Sequence, residues 1–221
     1  MTQAETQSIA SRSLGEIAAS LPGATAVFRR HKLDFCCCGA ESLGQAARHK
    51  GIDVAPIEAE LASLSAAPSD LPDDVDGLIA HVLERYHQVH RREMPELRTL
   101  AIRVERVHVD HPAAPKGLSD LLERMHAELE SHMQKEEQIL FPLMRAGGNP
   151  MIVHPIGVMR HEHDSHGEEL KALAELTDDL TLPEGACNTW RALYAGLGKL
   201  RDDLTEHIHI ENNILFPKFE A

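Results

Sequence analysis

Two stretches of this chain place a histidine and a carboxylate four residues apart in the same context. His132 to Pro142 and His207 to Pro217 both fit His-x-x-x-Glu-x-x-Ile-Leu-Phe-Pro. On a helix, residues four apart lie one turn above each other on one face. Apolar residues continue that face: Met125, Leu129, Ile139, Leu140 and Leu143 around the first copy, and Leu193, Leu197, Leu200, Leu204 and Ile214 around the second. His132 with Glu136, and His207 with Glu211, are therefore expected to point into the apolar seam of a helical bundle. A buried carboxylate must find a proton, a cation or a metal, because isolation in a low-dielectric interior is costly. One such pair in a chain rich in His and Glu would be an ordinary solvated face or a capped core histidine. Two copies in one context make a metal the economical reading.

The repeat extends further. His163 follows His87 by 76 residues, and His207 follows His132 by 75. Each half thus offers a single His on one helix and a His-x-x-x-Glu on the next. His90, His161 and His166 compete with His87 and His163, and the apolar faces decide: His87 follows Leu83, and His163 follows Met159, each by four. Four His and two Glu converging from four helices suit two metal ions, with the carboxylates bridging and a position left open for a small ligand. Mixed imidazole and carboxylate ligation suits iron ahead of manganese or zinc. A structural zinc site would take four ligands and favour thiolates.

These ligands need long helices. With 221 residues the chain suits a large domain plus a small one. From about Asp74 onward, four helical patterns follow one another. The first runs to His108 with a kink expected at Pro95, the second from Leu118 to Met144, the third from Pro155 to Asp178, and the fourth from beyond Pro183 to Phe219. Short loops between them predict an all-α antiparallel four-helix bundle over 74–221. Ahead of it, residues 1–67 form a small helical unit that carries cysteines. Ser13 caps a helix over Leu14–Ser20, and Pro22 suits the first turn of a second helix reaching His31. Ser42 caps a third helix that stops at Gly51, and Asp53 opens a fourth. Ala66 to Asp74 is turn-rich and reads as the linker.

Composition excludes several classes. No apolar run is long enough to cross a membrane, and Met1–Ser13 lacks the layout of a secretory signal. The net charge of −13, with scattered Lys and Arg, disfavours nucleic acid and membrane surfaces. Fifteen His against five Phe, two Tyr and one Trp is the unusual count. Cys36, Cys37 and Cys38 are contiguous and Cys187 stands alone, which is no disulfide framework, so a reducing cytoplasm is the expected compartment. Three thiols beside Gly39 cannot all point inward, and a redox or metal role is expected of them. Cys187 is expected to pack.

The chain resembles the repair-of-iron-centres family, the YtfE/ScdA type, across essentially its whole length. The resemblance is carried by Asp34 to Cys37, Arg85-Tyr86-His87, Val104 to His108, Lys116-Gly117-Leu118, Ser131 to Pro142, Glu162-His163-Asp164 and Glu211 to Pro217. It implies a small domain with vicinal cysteines followed by a hemerythrin-like bundle that holds a non-haem di-iron centre. By position the iron ligands would be His87, His132, His163 and His207, with Glu136 and Glu211 bridging, in agreement with the spacing. The resemblance further implies repair of iron–sulfur cluster proteins damaged by nitric oxide or oxidants, and a cytoplasmic homodimer. One departure stands out: Cys38 occupies the place of the first Gly in the family's Cys-Cys-Gly-Gly, an extra thiol expected to alter the loop's redox or metal handling.

Glu128, four before His132, and Glu162, next to His163, are candidates to orient ligands or carry protons or ions toward the metals. His108 is a weaker candidate. His209 is expected on the exposed face, Arg91 and Arg92 on the acidic surface. Three further readings of the centre are a nitric oxide reductase, a hemerythrin-like binder of O2 or NO, and a structural zinc protein.

Overall fold

The computed structural model describes residues 8–64 and 71–220, so most of the expected linker lies outside the described residues. Among the described residues all regular elements are helical, and the fold is the all-α architecture read from the sequence. Two compact units result: residues 1–71 together with 208–221, and residues 72–207.

The first unit holds α1 (Leu14–Ser20), α2 (Ala24–Arg30), α3 (Leu43–Lys50) and α4 (Val54–Ser63). Ser13 and Ser42 each close a capping box, with Glu16 and Gln45 answering from the third helical position. Gly51 ends α3 at φ 67° and Asp53 caps α4, as read from the sequence. Pro22 differs from expectation. It lies in the turn ahead of α2, because Gly23 at φ 89° takes the left-handed cap position that only glycine holds without strain. Leu14, Ile17, Phe28, Phe35, Leu43, Ile57 and Leu61 form the core, with the Phe28 and Phe35 rings 5.7 Å apart.

The C-terminal segment belongs to this same unit. Asn212 Nδ2 donates to the Cys36 carbonyl at 2.9 Å, and Asn213 Nδ2 to the Phe35 carbonyl at 3.1 Å. These bonds run between residues more than 170 positions apart. His209 is corrected by them. It is buried, edge-on to the Phe35 ring at 5.3 Å and within 2.9 Å of Asn213, not exposed. Burial pushes its pKa down to about 4, so it is neutral there.

The second unit carries the bundle helices: α5 (Val75–Val82) and α6 (Gln88–Val107), α7 (Leu118–Lys135) and α8 (Phe141–Arg145), α9 (Val153–Leu176), and α10 (Asn188–Ile210), which continues without a break into the first unit. Pro95 lies inside α6 without ending it. Three π-helical turns interrupt these rods, at Leu83–His87, Glu136–Leu140 and Glu211–Leu215. Each contains one of the proposed ligands. In two of them a proline, Pro142 or Pro217, follows closely; it has no N–H to donate and crowds the carbonyl four back, so the chain widens just before it. The widening shifts the helical phase. Ile139, expected on the buried face with Leu140, is 54% exposed, while Leu140 is buried.

Candidate metal centre

His87, His132, Glu136, His163, His207 and Glu211 are all 0–1% exposed. The geometry centres on Glu136. Its Oε2 lies 3.3 Å from His87 Nε2 and its Oε1 3.4 Å from His132 Nε2, so one carboxylate faces imidazoles from two different helices, one oxygen to each. His132 Nε2 and His163 Nε2 are 3.1 Å apart. Two cis ligands at ordinary metal–nitrogen distances would be about 3 Å apart, so this pair is spaced for one shared ion. Glu211 lies one turn beyond His207 on the same continuous helix. The donors form two overlapping groups, His87, Glu136, His207, Glu211 and His132, Glu136, His163, Glu211, each with ligand atoms within 4.8 Å of one another.

This donor set fits a dinuclear metal site. Two carboxylates within 4.8 Å in a buried pocket repel by about 3 kcal/mol at an effective dielectric of 20. A proton on a neighbouring imidazole is a poor remedy: burial, then the proximity of His87, holds the His207 pKa well below its usual value. Neutral imidazoles keep a lone pair for a cation. Divalent ions relieve the repulsion and use every donor.

Outer partners aim the imidazoles. His87 Nδ1–H donates to Glu137 Oε1 at 2.7 Å, and Arg91 holds Glu137 and Glu130 with bonds of 2.8–3.3 Å. Across the site, His132 Nδ1–H donates to Glu162 Oε2 at 2.9 Å, and Lys135 pairs with Glu162. Both arrangements leave Nε2 facing the centre. Arg91 is thus committed to orienting a histidine's partner rather than to a general acidic surface. Glu137 escaped the sequence reading; its only signal was a second Glu beside Glu136. Arg85 grips Asp203 with bonds of 2.6 and 3.1 Å, and Tyr86 stacks on His207 at 5.3 Å, fixing the His87 and His207 helices together.

Other candidates lie elsewhere. His108 caps α6, with its Nε2 3.2 Å from Cys187 Sγ and its ring 4.8 Å from Trp190, and joins neither donor group. Glu128 is exposed and groups with His166 and Glu169 instead. His90, a rejected rival, is buried and stacks on His207 at 5.6 Å. Cys36, Cys37 and Cys38 form no disulfide among the described residues. Cys36 Sγ lies 3.6 Å from Cys37 Sγ and 3.3 Å from Asp34 Oδ1. The bond to Cys37 and burial raise the Cys36 pKa, and burial with the Asp34 charge raises Cys38 to about 11. Both therefore stay protonated near neutrality, unlike activated redox thiols.

Glu162 is held down to about 2, chiefly by its bond from His132 and then by Lys135. A depressed carboxylate pKa contributes stability that is present above its unfolded value and is lost as pH falls through the folded one. Glu162→Gln is expected to lower stability at neutral pH and to flatten the decline between pH 4.5 and about 2. Denaturant unfolding across that range measures it; parallel curves for the two proteins would refute it.

This chain is similar to known proteins along nearly its whole length. The hemerythrin HHE cation-binding domain family matches residues 78–219, and ScdA_N, described as a domain of unknown function, matches residues 10–65. The iron–sulfur cluster repair protein YtfE of Dickeya chrysanthemi is 47% identical over 211 residues, covering 94% of this chain and 96% of that protein. Its counterparts from Musicola paradisiaca and Escherichia coli O81 are each 48% identical, covering 94% and 93% of this chain and 95% and 94% of their own. With a matched N-terminal domain, a matched cation-binding bundle and relatives of nearly full length, the chain belongs to the YtfE family of iron–sulfur cluster repair proteins.

Proposed function

We propose that this chain is a non-haem di-iron protein that repairs iron–sulfur clusters damaged by nitrosative or oxidative stress. The observation that carries the reading is Glu136, whose two oxygens face His87 and His132 separately, as a bridging carboxylate must. Two irons there, when bound, would supply redox chemistry toward a small ligand such as NO or O2. The protein's part is to hold four imidazoles and two carboxylates in a buried pocket and to fix the direction of His87 and His132 through Glu137 and Glu162. Cys36, Cys37 and Cys38 are candidates to receive or pass iron: the raised pKa values of Cys36 and Cys38, whose protons leave when a metal binds, suit a transfer role better than disulfide exchange. The clients are damaged iron–sulfur cluster proteins, and the working form is a cytoplasmic homodimer.

The test is repair itself. An iron–sulfur hydratase inactivated by nitric oxide is incubated with iron-loaded protein, and hydratase activity is followed. Wild type is expected to restore it, while Glu136→Ala restores no more than buffer. Steady NO consumption with an electron donor, without restored hydratase, would replace this reading by a nitric oxide reductase.

A further inference from the structure

The loop from Asp34 to Cys38 gathers sulfur and oxygen donors that the six proposed ligands leave unused. Asp34, Cys36 and Cys37 each offer one ligand atom, all within 4.8 Å of one another. Two metal–sulfur bonds of about 2.3 Å put their sulfurs about 3.8 Å apart at a tetrahedral ion and about 4.6 Å apart at a linear one. A sulfur and a carboxylate oxygen on one tetrahedral ion stand about 3.5 Å apart. Here Cys36 Sγ lies 3.6 Å from Cys37 Sγ and 3.3 Å from Asp34 Oδ1, which fits a single tetrahedral ion. A disulfide would need the two sulfurs at about 2 Å.

The loop is held in this shape from several sides. Cys37 N–H donates to Asp34 Oδ1 at 3.0 Å, and Glu41 N–H to the Cys38 carbonyl at 3.0 Å. Asn213 and Asn212 hold the Phe35 and Cys36 carbonyls, and a Cβ at Gly39 would collide with the Asn213 side chain. The Phe35 side chain is buried in the core of the small unit. Donors fixed in this way lose little freedom when an ion arrives. Cys36 is buried, while Asp34 and Cys37 are half-buried and leave a way in from solvent. Cys38 is exposed; its Sγ lies 3.8 Å from Asp34 Oδ2 but outside the three-donor group.

We propose that Asp34, Cys36 and Cys37 form a second metal site for one tetrahedral divalent ion, with water in the fourth position and Cys38 not among the ligands. The proposal deepens the reading of these cysteines as iron carriers, and rests on that reading for Fe2+ as the working ion. Two thiolates and a carboxylate make a softer donor set than the imidazoles and carboxylates of the bundle. Three protein ligands and one exchangeable position hold an ion less firmly than a closed four-thiolate site. As the ion binds, each coordinating sulfur is bound as thiolate, and Asp34 Oδ1 exchanges its hydrogen bond from Cys36 for the metal. The buried Cys36 thiol, whose pKa is raised, makes that exchange sensitive to pH.

The test uses the full-length chain, reduced with a phosphine and titrated anaerobically with Co2+. Thiolate ligands show themselves by sulfur-to-cobalt charge transfer, and a tetrahedral shell by strong visible bands. Cobalt among the nitrogen and oxygen donors of the bundle gives no thiolate signal. One thiolate-bound Co2+ per chain is expected, with affinity rising about tenfold or more per pH unit between about pH 6 and 8. Cys36→Ser should abolish the signal, Asp34→Asn should weaken binding about tenfold, and Cys38→Ser should leave it within about twofold, with circular dichroism unchanged in all three. No thiolate signal in wild type, or one that survives Cys36→Ser, would overturn the site. Binding unchanged in Asp34→Asn, or lost in Cys38→Ser, would overturn the ligand set. If the signal is absent while iron-loaded protein still restores the hydratase, the site falls and the repair reading stands. If the signal is present while wild type restores nothing, the site stands and Fe2+ as its working ion falls with the repair reading.

Discussion

Replacing Glu136 and Glu211 together by glutamine is expected to strip the protein of iron and, at the same time, to make the metal-free chain more stable than metal-free wild type. Both effects come from one arrangement. The two carboxylates are fully buried and share each donor group, so they repel when no cation lies between them. Glutamine keeps the shape and removes the charge. Allowing for one carboxylate taking up a proton, the relief is about 1–3 kcal/mol, or a few degrees in Tm. With metal present the order reverses. Wild type gains the binding free energy of its ions, which the variant cannot collect. Iron analysis and thermal unfolding, each with and without chelator, decide the matter. Wild-type iron content in the variant would sink the dinuclear reading. Iron loss without a gain in metal-free stability would show that the carboxylates are accommodated without a cation.

Phe141→Ala should cost the bundle about 3–5 kcal/mol of stability. The side chain is 1% exposed and begins α8 directly after the π-helical turn that carries Glu136. Its ring stacks against His87, with centroids 5.8 Å apart. Truncation therefore leaves a cavity at the support of a ligand, and the surrounding helices cannot all move in to fill it. Against the 5–15 kcal/mol that a typical domain possesses, Tm should fall by about 10 °C or more. Phe141→Leu, which refills most of the volume, should recover more than half of the loss. Chemical denaturation of the three proteins measures the series. A loss below about 1 kcal/mol in Phe141→Ala would mean the site collapses freely and His87 needs no such backing.

Much of the local architecture is legible in the residues alone. Ser13, Ser42, Gly51 and Asp53 act within a turn of their own positions, so sequence spacing suffices to place the helix ends. The same holds for His132 with Glu136 and for His207 with Glu211, where helical period puts both donors on one face. Because the motif occurs twice, its candidate ligands are spread over more than one helix.

What tertiary structure decided is everything that depends on phase or on distant partners. The π-helical turn at Glu136–Leu140 slips the register, turning Ile139 outward where an unbroken α-helix would bury it. Glu137 reaches His87 across 50 positions, Glu162 reaches His132 across 30, and Asn212 reaches Cys36 across 176. Such contacts leave no period in the sequence, because they are set by how helices pack rather than by how each one winds. His166 is the sharpest case. Nothing in its spacing separates it from a spare histidine, and only the packing of α9 beside α7 brings Glu128 to it and leaves its Nε2 buried without a hydrogen-bond partner among the described residues. Residue types and helical period mark which residues could hold metal and on which helices, while packing sets what aims them.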